Sequence, residues 1–145
     1  MTDQDKETYL YQMKYVQFLY EKHGKAALND LEEYEIRKMK RIWNAIGDKH
    51  GRSLKSLIEQ LWGSMGEDFE YKITYQNEDE VQIECKKCPF VALSIDNGMK
   101  EIGFSKYCMS DYGIVEGFNP NIEFMRTKTL MEGHGVCNHH YKMKK

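Results

Sequence analysis

Apolar residues fall at helical spacing through the first half of the chain and at alternating spacing directly after it. Over residues 9–20, Leu10, Met13, Tyr15 or Val16, Phe18 and Leu19 recur on a helical period, and Gly24 fits a stop. Leu28, Leu31, Ile36, Met39, Ile42, Trp43 and Ile46 continue the pattern over 25–46, ended by Gly47. Over 53–62, Leu54, Leu57, Ile58 and Leu61 share one face, with Gly63 and Gly66 beyond it. The aromatic and methionine stripes of these helices read as core.

At Phe69 the period becomes two. Phe69, Tyr71, Ile73 and Tyr75 alternate with polar residues, 77–79 supply a turn, and Val81, Ile83 and Cys85 alternate again. This predicts a β-hairpin with one wet face, closed by Pro89. A helix is expected over 93–117, entered near Ser94 or Asp96, although Gly98, Gly103 and Gly113 each cost it about 1 kcal/mol against alanine. Asn119-Pro120 marks a turn. A strand over 122–131, a turn over 132–135 and a strand over 136–143 complete the pattern. The fold class is therefore α+β: N-terminal helices, then hairpin–helix–hairpin, forming a four-stranded antiparallel sheet with helices on one face. We expect a single domain over 1–145, with a helical part over 1–66 and the chemistry-bearing part over 67–145.

Composition changes this picture little. Hydrophobic residues make up 41% and charged residues 30%, the balance of an ordinary globular chain. A net charge of −2, from 21 basic and 23 acidic residues, leaves no basic stripe for nucleic acid. The basic stretch from Tyr141 to Lys145 reads as a solvated tail or a protected edge. No apolar run approaches the roughly 20 residues a membrane span needs. The acidic, polar start is unlike a signal peptide, so the expected location is cytoplasmic, with reduced thiols.

All four cysteines lie between positions 85 and 137. Cys85 and Cys88, two residues apart after a strand, suit a metal or a redox pair, and equally plain burial. Cys108 and Asp111 are one helical turn apart, so thiol and carboxylate share a face. A carboxylate in an apolar stripe either caps a loop or acts as a base. On the last strand, Cys137 and His139 point one way while Asn138 and His140 point the other. Cys85, Cys88, Cys137 and His139 would make a four-ligand set for zinc or an iron–sulfur cluster. His140 reads as solvent-facing. Spacing alone does not choose among a metal site, a nucleophile with its base, and a thiol-rich core.

The stretch from Gly98 through Cys108 to Asp111, followed by Gly117-Phe-Asn-Pro120, by Thr127-x-Thr129-x-x-x-Gly133 and by Cys137, resembles the L-2-amino-thiazoline-4-carboxylic acid hydrolase family. The motif likeness runs over roughly residues 90–143. It implies hydrolytic opening of a small cyclic amidine to a carbamoyl-cysteine. It also implies Cys108, Asp111 and Cys137 as catalytic residues. The family pattern maps onto Asn119, Thr127 and Thr129 as well. Arg126, Lys128 and the two threonines are candidates to hold a substrate carboxylate. Against this hydrolase stand two other readings: a metal or iron–sulfur module that senses rather than catalyses, and a ligand-binding regulatory domain whose helices form a homodimer face.

Overall fold

The computed structural model describes residues 1–145. Helix α1 (Asp3–His23) opens on a capping box: the Thr2 hydroxyl accepts from the Asp5 amide, and the Asp5 carboxylate accepts from the Thr2 amide. Two amides that a helix start leaves bare are thereby satisfied. The chain turns at Gly24 into α2 (Lys25–His50). The apolar stripe of α1 is only partly core. Met13 is fully buried, whereas Tyr15 and Phe18 stay exposed, because α1 lies at the margin and only one side of it is covered. Ile42 of α2 is likewise exposed. Helix α3 (Leu54–Leu61) follows expectation: the Ser53 hydroxyl accepts from the Ser56 amide, and Leu54, Leu57 and Ile58 are buried.

The strands are β1 (Glu70–Gln76), β2 (Glu80–Lys87), β3 (Ile122–Met125) and β4 (Cys137–Met143). They form one antiparallel sheet in the order β1-β2-β4-β3, so the two hairpins meet along β2 and β4. The register there is Val81 opposite Tyr141, Ile83 opposite His139, and Cys85 opposite Cys137. These six residues are buried, while their neighbours Gln82, Glu84, Asn138 and His140 are not. β2 and β4 thus have the expected covered and open faces, whereas edge strand β1 has none: Tyr71, Ile73 and Tyr75, expected on the covered face, are exposed.

Two expectations are corrected. The helix expected over 93–117 is several pieces: α4 (Pro89–Asp96), α5 (Lys100–Gly103), a π turn (Phe104–Cys108) and α6 (Ser110–Phe118). Pro89 begins α4 at its first turn, where its missing amide costs nothing, rather than closing the hairpin. The strand expected over 122–131 stops at Met125, and a loop follows it to β4. Asn138 makes that loop, its side chain accepting from the amides of Thr127 and Lys128 and donating to the Thr127 hydroxyl.

Helix α6 packs on α2 at very close range. A Cβ on Gly113 would lie 2.2 Å from the Ile36 carbonyl oxygen, and one on Gly117 2.2 Å from that of Lys40. The larger core joins α2, α3, α6 and the sheet around Trp43, Leu57, Trp62, Ile83, Phe118 and Tyr141. A smaller one joins α1, α2, α4 and α5 around Met13, Leu28, Leu93, Met99 and Ile102.

Candidate active site

A cavity of about 390 Å³ draws its walls from both cores: Trp62, Cys85 and Tyr141 from the sheet side, Tyr9 and Tyr107 from the α1 side. That volume suits a small organic ligand. Of its 24 lining residues, 16 are hydrophobic, so the site favours apolar surface with few polar contacts.

The π turn shapes the wall. Lys106, Tyr107 and Cys108 all line the cavity, as do Ser110, Asp111 and Ile114 beyond them. Three successive residues of a regular α-helix fan over about 200° and cannot all face one space. The wider turn lets them, a use of π turns often met at functional sites.

Asp111 is the polar centre. Arg126, where the chain leaves β3, donates from Nη1 to Asp111 Oδ2 at 2.6 Å and from Nη2 to the Cys108 carbonyl at 3.0 Å. The Arg126 side chain is 3% exposed, while that of Asp111, which lines the cavity, keeps 25% of its surface. Burial raises the Asp111 carboxyl to about 6, and the Arg126 charge holds it from going higher. Arg126 Nε is shut off from solvent and has no partner.

All four cysteines line this cavity as free thiols. Register brings two of them there, since Cys85 and Cys137 are cross-strand neighbours. Burial raises Cys85 to about 12 and Cys88 to about 11, and pushes Cys108 higher still. Cys137 is raised too, although its sulfur accepts from the Leu130 amide at 3.1 Å. The negative charge of Asp111 adds to the shift of each thiol. The thiols are therefore protonated at neutral pH.

His139 is buried beside them. Burial, then the Arg126 charge, lower it to about 3, so the ring is neutral. It meets the Tyr141 hydroxyl at 3.4 Å, and that hydroxyl accepts from Trp62 Nε1 at 3.0 Å. No group of three or more His, Cys, Asp or Glu side chains is placed to hold a metal ion, so Cys85, Cys88, Cys137 and His139 share a cavity without forming a ligand set. His140 faces away, paired with Glu80 at 2.5 Å.

Of the residues expected to hold substrate, only Arg126 lines the cavity. Asn119 donates to the Arg52 carbonyl and accepts from the Asn121 amide, fixing the turn after α6. Thr127 is tied to Asn138. Thr129 donates to Glu132 and accepts its amide, closing the loop before β4. The sequence reading missed Glu35 and Lys106, which line the cavity as a buried ion pair with their polar atoms 2.8 Å apart. Glu35 sits one position from Ile36 among the charged residues of α2, so nothing in its spacing singled it out.

No curated protein matches the chain. Among solved structures, the chain is similar to a trafficking protein particle complex subunit 3 from Naegleria fowleri, covalently bound to palmitic acid. The TM-score is 0.60 at 15% identity, covering 99% of this chain and 98% of that one, a likeness of fold. The family model for L-2-amino-thiazoline-4-carboxylic acid hydrolase matches residues 5–141. That match runs nearly the whole length of the chain, and the chain belongs to the L-2-amino-thiazoline-4-carboxylic acid hydrolase family.

Proposed function

We propose that the protein hydrolyses a small cyclic amidine, of the kind 2-amino-thiazoline-4-carboxylate represents, in this cavity. The observation that carries the reading is the Asp111 carboxylate, held by Arg126 through one oxygen in a largely apolar cavity. Oδ1 takes no protein donor and is the acceptor for substrate. A carboxylate near 6 is ionised at neutral pH yet basic enough to accept a proton. It pairs with the protonated amidine and draws a proton from water attacking the carbon between ring sulfur and nitrogen. Breaking the C–S bond then leaves N-carbamoyl-cysteine with a free thiol, and breaking the ring C–N bond leaves the S-carbamoyl isomer. Cys108 and Cys137, protonated as they stand, are better placed to donate a hydrogen bond or a proton to the leaving atom than to attack. Arg126 fixes the carboxylate and keeps its charge.

Purified protein with 2-amino-thiazoline-4-carboxylate, followed by mass spectrometry and a free-thiol assay, tests this. We expect ring opening, with a loss of at least about 10²-fold in Asp111→Asn, the usual scale for a general base. Undiminished turnover in that variant excludes Asp111 as the base, and absence of turnover in the parent protein excludes the activity.

The largely apolar wall favours a second reading, an acyl-chain site, because the structurally similar trafficking subunit carries palmitic acid. Displacement of a fluorescent fatty acid by palmitate measures it directly. Weak, unsaturable displacement rejects it.

A further inference from the structure

The outer face of α1 carries aromatic surface that the fold leaves bare. Tyr11, Tyr15 and Phe18 are 78%, 65% and 54% exposed, while Met13 on the opposite side of the helix is fully buried. The three rings stand four and three residues apart. The same spacing runs on to Thr8 and Gln4 in one direction and to Lys22 in the other, all exposed. Alternating steps of four and three mark the seam of a helix that packs along another helix, here apolar in the middle and polar at its ends. Scattered exposed aromatics need no partner, but three successive ones on one face of one helix form a patch. The face is shaped as well. A groove along it is lined by Gln4, Glu7, Thr8, Tyr11, Gln12 and Tyr15. Gln4, Glu7, Thr8 and Tyr11 are related as i, i+3, i+4 and i+7, and so are Thr8, Tyr11, Gln12 and Tyr15. Each set is the four-residue hole into which a facing helix inserts one side chain.

We propose that this stripe joins two copies of the chain, α1 against α1, running antiparallel about a two-fold axis. Charge selects the direction. The first turn of α1 holds Asp3 and Asp5, and the last turn holds Lys22 and His23. Antiparallel helices set each acidic end against a basic one and each positive dipole end against a negative one, whereas parallel helices would stack like ends. In this arrangement Tyr15 of each copy enters the hole around Tyr11 and Gln12 of the other. Phe18 enters the hole around Glu7 and Thr8, and Lys22, whose ammonium lies 5.3 Å from the centre of the Phe18 ring, ends beside Gln4 and Glu7. Charge also selects the occupant: with four acids to three lysines, α1 offers an anionic bilayer no attraction. The three rings leave on the order of 400 Å² bare per copy, about half of what each partner of a standard interface buries, so the polar flanks must supply the rest and the dimer is of modest strength. Gln12 lines both the groove and the cavity of the candidate site, which sets the second copy against the cavity's α1 edge.

Analytical ultracentrifugation of the full chain from about 1 to about 200 µM provides the test. A monomer–dimer equilibrium with a micromolar Kd is expected. Tyr15→Glu, at a position already open to solvent, should leave the circular dichroism spectrum unchanged and raise that Kd by at least about tenfold. Lys22→Glu should weaken the dimer several-fold, and Glu7→Lys added to it should restore the association, because the two charges then exchange places across the antiparallel pair. A protein that stays monomeric throughout the range overturns the proposal, and so does a dimer that Tyr15→Glu leaves intact. Lack of rescue in the double charge exchange overturns the antiparallel pairing and the proposal with it. Co-sedimentation of the monomer with phosphatidylcholine–phosphatidylserine vesicles, abolished by Tyr15→Glu, would assign the stripe to a lipid surface and overturn it as well.

Discussion

Asp111 and Arg126 are unequal partners although each is the other's counter-charge. The carboxylate can escape an unfavourable burial by taking up a proton, and the guanidinium cannot shed one. Arg126→Met should therefore push the Asp111 carboxyl above its present value of about 6, since Arg126 is what restrains it. The acid limb of the ring-opening pH profile should move to higher pH accordingly, as ¹³C titration of the carboxyl would confirm. A profile that does not move means the pair is not coupled to catalysis. Asp111 and His139 also act on stability with opposite signs. Asp111 is raised from 3.8, so the folded state binds the extra proton; that stability is complete below pH 3.8 and is lost as pH rises through about 6. His139 is lowered from 6.5, so its stability is complete above pH 6.5 and is lost as pH falls towards about 3. His139→Phe, among the rings of Trp62, Phe124 and Tyr141, should remove the second slope. With the Asp111 slope then unopposed, the variant's urea midpoint at about pH 4.5 should rise relative to that at about pH 7, compared with the parent protein; an unchanged difference would mean that His139 does not set the acid limb.

At the scale of elements, the glycines on α6 are a packing device. Gly113 and Gly117 lie four apart on one face and bring α6 onto the carbonyls of α2. Gly113→Ala or Gly117→Ala sets a methyl against backbone that has no rotamer to change, and should cost about 1–3 kcal/mol or more by urea denaturation. An effect below about 0.5 kcal/mol would mean the helices separate easily. The sequence showed Gly113 only as a weakness in a helix, because spacing cannot reveal which partner helix needs the room. The alternation of Val81, Ile83 and Cys85 was readable, and so was the shared direction of Cys137 and His139, since period two fixes a face once a strand is assigned. That Cys85 would lie opposite Cys137 was not, for register between β2 and β4 depends on a long connection with its own turns. Arg126 was anticipated as a cation for substrate, and in the fold it serves Asp111 first. The π turn leaves no mark in hydropathy, and without it Lys106 and Cys108 would have been assigned to different faces.

For the whole molecule, the cavity's position matters more than its volume. It lies where two separate cores come closest, with α1 and its neighbours on one side and the sheet with α3 on the other. A ligand that fills it adds apolar contact to both. At a concentration about 100 times its Kd it should stabilise the fold by about 2.7 kcal/mol, raising Tm by roughly 5–10 °C. Thermal melts with 2-amino-thiazoline-4-carboxylate measure this, and a ligand that binds without moving Tm does not occupy the seam. Cys88→Phe places a ring in the same space, and should hold or raise Tm while blocking that shift. The empty protein then has two hydrophobic interiors bridged mainly by α2 and by the aromatic contacts of Phe90 with Tyr9, Tyr107 and Phe69. Each half can breathe on its own schedule. In amide exchange, α1 should therefore trade its protons faster than β2 and β4 when the seam is vacant, and at their pace once a guest has fused the halves into one interior.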